Sequence, residues 1–354
     1  MNLFRSKKHA ESIVLIDISA NSVAGAYAHY PENELPMLLY TRRFPIEVRE
    51  GEPREQAMFR ALQILGATLI REGAPALMRV TGSGFASDII VSIDAPWQKT
   101  SVHIEHIEQK TSFIFTKSLV IKKLEETNVV TPGKILVDES VIGTILNGYE
   151  TSDPYGKQAH RASIVVLTSL IDEKVAHAIL AILQSLYHTK RILPITSSSL
   201  RYQAIRKIFP HEHDMLIVDA AVSLTSIALV RKGLLMAITE TSSRANDSWM
   251  DTVATEFAEL AKSYPLPRTI LLLAREPDVS FLQQKFSTTN LEKLWLSDNP
   301  PRIVPILVSH INGLIRQTNA VLPDLSLFLM ILYGQQRIIA GKNSTHLCTR
   351  ICTR

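Results

Sequence analysis

The chain has 354 residues, 46% of them hydrophobic and 20% charged, with a formal net charge of +4. That length suits about two domains, and that apolar content excludes global disorder. The mild charge comes with no basic stripe interleaved with aromatics, so nucleic acid is not an expected partner. Two cysteines, Cys348 and Cys352, exclude a disulfide framework.

Glycine is scarce, at 14 of 354 residues or about 4%, against a usual ~7%. After residue 157 the glycines are Gly233, Gly313, Gly334 and Gly341. No stretch reads GxxxxGK[ST] or GxGxxG, so a phosphate loop or dinucleotide fingerprint finds no support. The longest uncharged run, Val175–Thr189, has 15 residues and holds two histidines and a glutamine. A membrane helix needs ~20 apolar residues. The opening MNLFRSKKHAE is basic but lacks an apolar signal core. These features predict a cytoplasmic chain that meets a membrane only peripherally or through a partner.

In chain order, Ser12–Asp17 (SIVLID) reads as a buried strand, followed by the polar turn Ile18–Ser22 and strands over Val23–Tyr30 and Met37–Phe44. A helix is predicted from Pro53 to Arg71, with Met58, Leu62, Leu65 and Leu69 on one face. Residues 88–170 read as an inserted α+β module. It opens on a strand at Asp88–Ile93 and continues with an amphipathic strand at Ser101–Gln109 and a short helix at Ser118–Thr127. Apolar runs at Lys134–Asn147 and Ala162–Thr168 follow, with a loop over Gly148–Arg161 between them. A long helix with Val175, Ile179, Ile182, Leu183 and Leu186 on one face comes next.

The second half repeats the opening about 200 residues later. Met215–Asp219 (MLIVD) is a strand ending in an aspartate, Ala220–Leu224 a turn of small residues, and Thr225–Val230 and Leu234–Thr239 two further strands. A helix over Asn246–Ser263 has Asn246 as cap and Trp249, Val253, Phe257 and Leu260 on one face. Two related α/β units are expected.

The matched aspartates are the best functional candidates. A carboxylate at a strand end beside a tight hairpin can order water on Mg²⁺ while the hairpin N–H groups face phosphate oxygens. Asp17 and Asp219 would do this, helped by Ser19, Asn21, Ser223 and Thr225. The plain alternative is that each aspartate ends its strand and starts a turn. Other clusters read as ordinary surface. PHEHD (Pro210–Asp214) does not match a metal-protease spacing, HIEHIE (His103–Glu108) is the polar face of a strand, and TGSG (Thr81–Gly84) is a turn. The tail with His346, Cys348 and Cys352 reads as a reduced, solvated end, so no metal site is expected.

Both hairpins, IVLIDISANSVAGAY and VDAAVSLTSIALVRKGLL, resemble the phosphate hairpins of the actin-like ATPase superfamily. ILNGYETSDPYGKQAHRASIVVL resembles the segment leading into the last strand of the inserted SHS2 (or 1C) module of the PilM/FtsA family. TSSSLRYQAIRKIF and LPDLSLFLMILYGQQ resemble that family's step before the second hairpin and its last helix. The resemblance spans about residues 12–338, and the length suits the PilM type. It implies an α/β, two-lobed actin-like fold: 1–87 and 171–212 as the first lobe, 88–170 as the SHS2-like module, 213–340 as the second lobe and 341–354 as a tail. It also implies a cytoplasmic scaffold of a type IV pilus or secretion-type envelope assembly. Such a scaffold docks the cytoplasmic tail of an inner-membrane protein and self-associates. The chain departs from the family where Ser19, Ala221 and Ala274–Arg275 replace glycines. A Cβ there obstructs close approach of a ligand to the backbone, so ATP with Mg²⁺ is expected to bind weakly or not at all, and a pseudo-ATPase is expected over an enzyme. The alternative is an FtsA-like ATP-binding cell-division protein whose self-assembly is nucleotide-controlled.

Overall fold

The computed structural model describes residues 10–127, 131–151, 153–189, 191–221, 224–241, 248–289, 291, 294–295, 301–319 and 321–340. In chain order the elements are β1 (Glu11–Ile18), β2 (Ser22–Tyr30), β3 (Met37–Pro45), α1 (Arg54–Thr68), α2 (Ala74–Thr81), β4 (Asp88–Ile93), β5 (Gln98–Ile114), α3 (Lys117–Glu126), β6 (Lys134–Leu146), β7 (Tyr149–Glu150) and β8 (Gln158–Asp172). There follow α4 (Glu173–Tyr187), β9 (Ile192–Thr196), α5 (Ser197–Ile208), β10 (Met215–Asp219), β11 (Thr225–Arg231), β12 (Leu234–Thr241), α6 (Trp249–Ser263), β13 (Thr269–Leu273), α7 (Val279–Thr288), β14 (Arg302–Ile306), α8 (Val308–Ile311), β15 (Arg316–Gln317) and α9 (Leu325–Ala340). Two compact units result. One takes the described residues up to Asp94, His177–Ala204, and those from Val308 onward. The other takes Ala95–Ala176 and Ile205–Leu307. No helix among the described residues is long and apolar enough to cross a membrane.

The first unit is built on a six-stranded sheet in the order β15-β3-β2-β1-β4-β9. β1, β2 and β3 form an antiparallel meander, and β4 and β9 add in parallel beside β1. Asp88–Ile93 was expected to open the inserted module; instead it is β4, in register with β1 from Ile13↔Asp88 to Ile18↔Ile93. Ile89–Ile93 is buried throughout, as in a strand covered on both faces, which is the pattern of parallel sheet. α9 crosses this unit with Leu327–Leu332 fully buried. The Tyr30 hydroxyl donates to the Ile331 carbonyl at 3.1 Å, and a Cβ at position 334 would overlap that hydroxyl, so only glycine fits. The helix expected over Pro53–Arg71 runs further, through a π-helical turn at Leu69–Gly73 into α2. Pro75, in the first turn of α2, has no N–H to continue the ladder, and the Ala74 N–H reaches back to the Leu69 carbonyl instead.

The second unit holds two sheets. One is antiparallel, in the order β5-β8-β6-β7. α3 covers one of its faces through Phe115, Val120, Leu124, Ile164 and Val166. β5 has 17 residues and β8 has 15. Both exceed the expected Ser101–Gln109 and Ala162–Thr168, and β8 takes up the end of the expected loop. β8 is the central strand, with a partner along each edge. Paired on both sides, even its polar stretch stays extended. Gly143 lies at a register shift in β6, and a Cβ there would overlap Leu234 Cδ2. The other sheet has the order β12-β11-β10-β13-β14. It repeats the plan of the first unit, an antiparallel meander (β10–β12) with parallel strands (β13, β14) added beside its first member. Its core centres on Trp249, Phe257, Phe286 and Trp295. Trp249 sits edge-on to Phe286 with ring centres 5.6 Å apart. α6 carries the predicted face of Trp249, Val253, Phe257 and Leu260, all buried; Asn246 lies outside the described residues.

Candidate functional site

In the first unit, Asp17 is the penultimate residue of β1 and is 1% exposed. Cross-strand register places Asp17 opposite Ala24, and Ala24 opposite Arg43. The three share one rung of the meander and therefore one face. Two strand spacings, about 10 Å, separate Asp17 from Arg43, and only the small side chain of Ala24 lies between. Arg43 reaches across it. Its Nη2 meets Asp17 Oδ2 at 3.0 Å, and its Nη1 donates to Ser22 Oγ at 2.7 Å. On its other side the same guanidinium holds Asp324 with Nε at 2.7 Å and Nη2 at 3.1 Å. This two-point carboxylate contact is the strong form of the pair. Asp324 also receives the Leu327 N–H at 3.2 Å, and so caps α9.

The rest of the hairpin is tied in the same way. Ser19 Oγ contacts Ser22 O at 3.0 Å and Ser22 Oγ at 2.9 Å, and the Ser19 N–H donates to Ser22 O. Asn21 Oδ1 accepts from Arg54 Nη2 at 2.6 Å, and the same nitrogen donates to Ala20 O. Next to β1, the Asp94 N–H donates to Ile18 O, and the Asp94 carboxylate pairs with Arg201 of α5 at 3.0 Å with both side chains buried. Burial pushes the Asp17 carboxyl above its ordinary value, while Arg43 and Arg201 pull it down. Burial opposes the charge on Arg43, but Asp324 and Asp17 beside it outweigh that and hold its pKa above the usual arginine value. Asp17 Oδ1 meets no hydrogen-bond donor among the described residues.

In the second unit, Asp219 ends β10. Its Oδ1 accepts the N–H of Ala221 at 3.0 Å, so an amide that would face a phosphate is turned onto the chain's own carboxylate. The Ala220 N–H donates to Leu273 O. Thr225 Oγ1 accepts from Trp249 Nε1 at 2.7 Å in the core. Ala274 follows β13, is 2% exposed and packs in the apolar cluster with Ala220. Arg275 turns to Asp278 at 2.7 Å. The rung that holds arginine in the first unit reads Asp219, Ser226, Glu240 here. Ser223 lies outside the described residues.

The predicted residues thus gather as two hairpins, one per unit, and most of their polar groups already bond within the chain. Sequence reasoning missed Arg43, Asp94, Arg201 and Asp324. Arg43 was not legible locally, since a loop over 31–36 joins β2 to β3 and a register shift between Tyr27 and Ala28 sets which residue meets Ala24. Asp324 lies 281 residues from Arg43, and no local signal links them. Among the described residues no group of three or more His, Cys, Asp or Glu is placed to hold a metal ion.

No protein-family model and no curated protein matches the sequence. Solved structures do. A chain of the PilM-PilN type IV pilus biogenesis complex is 12% identical over 92% of this chain and 98% of its own, with TM-score 0.54. The chain shares the fold of that solved chain. A Bacteroides thetaiotaomicron protein described as having an actin-like ATPase fold and unknown function is 10% identical, over 94% of this chain and 98% of its own, at TM-score 0.47. The ethanolamine utilization protein EutJ of Carboxydothermus hydrogenoformans is 10% identical, over 91% and 89%, at 0.40. In this chain both aspartates, Asp17 and Asp219, are engaged by its own donors.

Proposed function

We propose that this chain is a cytoplasmic, actin-like scaffold of a type IV pilus or secretion-type envelope assembly. It docks the cytoplasmic tail of an inner-membrane partner, self-associates, and has a degenerate nucleotide site. The observation that carries the reading is the Asp17–Arg43–Asp324 clamp. A magnesium nucleotide needs a carboxylate able to order the metal's water and N–H groups turned to phosphate. In the first hairpin the carboxylate already faces a guanidinium, a cation built into the rung, and Asp324 adds a second negative charge beside it. In the second, the Ala221 amide and the Thr225 hydroxyl serve Asp219 and Trp249. The residues present do not fit the group, which favours a role in holding partners over nucleotide chemistry.

Likeness to a chain of the PilM-PilN complex supports a membrane-bound partner. The four-stranded sheet with α3 on one face is proposed as the SHS2-like module on which such a tail docks. Affinity capture from native membranes, with ATP or with EDTA, tests both halves. The expected result is a membrane protein with a short cytoplasmic tail, retained equally in both conditions, whose synthetic tail peptide binds the purified chain. Micromolar ATP–Mg²⁺ binding by calorimetry that vanishes in Asp219→Ala would overturn the degenerate site. Failure of every captured tail peptide to bind would overturn the docking role.

A further inference from the structure

At the other end of the first unit's sheet lies a cavity of about 500 Å³, a size typical of small-molecule sites. It opens where β1 begins, at Glu11 and Ser12. Six strand steps, about 20 Å, separate it from Asp17, so it is distinct from the hairpin site. Its walls come from β1, β2, the loop between α2 and β4, and the residues leading into β9.

The loop wall is held in shape by its own hydroxyls. Thr81 Oγ1 donates to the Ser83 carbonyl at 2.7 Å, the Phe85 N–H donates to Ser83 Oγ at 3.2 Å, and the Ser87 N–H donates to Ser12 O at 2.9 Å. This pinned loop presents the Phe85 ring 64% exposed. A large apolar ring held out beside a cavity is a contact surface without an internal packing role. Arg191 also lines the cavity. Its Nε is fixed on Asp88 at 2.8 Å, and no acceptor among the described residues meets its two terminal nitrogens. The fork is therefore positioned and able to take a carboxylate through both terminal nitrogens. Glu11 supplies the opposite charge on the cavity wall. Ser12 Oγ and His29 Nδ1, also on the wall, lie 3.0 Å apart, and burial pushes the His29 pKa below its ordinary value.

We propose that this cavity binds a zwitterion carrying a flat apolar group: an aromatic α-amino acid, free or as the residue of a dipeptide. The carboxylate sits on Arg191, the ammonium on Glu11 and the ring against Phe85. A ligand with both charges meets Glu11 and the Arg191 nitrogens that Asp88 leaves open, which a simple anion or a simple cation does not.

Saturation-transfer NMR on the full chain tests this with four probes: L-phenylalanine, the dipeptide Phe-Phe, phenylalaninamide and N-acetylphenylalanine. The expected result is transfer to phenylalanine or the dipeptide, whichever source the site takes. Loss of either charged end, in the amide or the acetyl probe, weakens binding by about tenfold or more, as loss of a charged hydrogen bond does. Arg191→Gln and Phe85→Ala each weaken the bound probe similarly while thermal unfolding stays unchanged, since both side chains are largely exposed. Absence of transfer to both zwitterions overturns the proposal. So does equal binding of the amide, or unchanged binding in both variants.

Discussion

Replacing Arg43 with methionine keeps most of the stem volume and removes the guanidinium. Four contacts go: two to Asp324, one to Asp17 and one to Ser22. What remains is a carboxylate at 1% exposure without its cation and a helix cap without its anchor. Removing one partner of a fully buried pair costs roughly 3–5 kcal/mol. The Arg43 side chain is 31% exposed, which places the expected loss at the lower end, about 3 kcal/mol. For units of this size that corresponds to a fall in Tm of roughly 6–12 °C. Because two units can melt separately, the assay is thermal unfolding together with hydrogen exchange, and loss of protection is expected first around Leu327 and Phe328, whose N–H groups bond Asp324. Adding Asp17→Asn to the methionine variant removes the stranded charge and recovers more than half of the loss. The reasoning is refuted if Arg43→Met costs under ~1 kcal/mol, the range of an exposed ion pair, or if the double variant is no more stable than the single one.

Three further outcomes are expected. The folded state holds the Asp17 pKa above its ordinary 3.8, so the folded chain binds the proton more tightly than the unfolded one. The associated stabilisation is full below that value and is lost as pH rises through the raised pKa. Asp17→Asn lacks this loss, so its Tm relative to the parent climbs with pH above about 4, and a flat difference from pH 4 to 8 would rule the assignment out. Trp249→Phe removes the buried hydrogen bond to Thr225 and costs about 1 kcal/mol or more in urea unfolding of the second unit; no change would mean the pair is incidental. Gly143→Ala drives a Cβ into Leu234 and costs about 1–3 kcal/mol as overpacking, and Leu234→Ala in the same chain relieves the clash, which a double-mutant cycle reads as coupling.

Local sequence carried much of this. The runs IVLID and MLIVD state buried strands with an aspartate at or next to the end, because a strand inside a sheet must be apolar on both faces. The α6 stripe states its buried face, because 3.6-residue spacing brings Trp249, Val253, Phe257 and Leu260 together. The repeat of strand, turn, strand, strand, helix states two sheets of one plan. β5 and β8 were harder to read. Their polar ends stay extended through pairing with neighbouring strands, and no residue in those ends records that pairing.

The scarce glycines behave likewise. The sequence by itself placed Ser19, Ala221 and Ala274 where the family resemblance leads one to expect glycine. It could not tell what takes up the polar groups that remain. Tertiary structure decided that, by bringing Asp324 from 281 residues away onto Arg43, and Arg43 across Ala24 onto Asp17. The physical reason is that a buried charge must find its partner through space, whereas periodicity and turn chemistry report only neighbours along the chain.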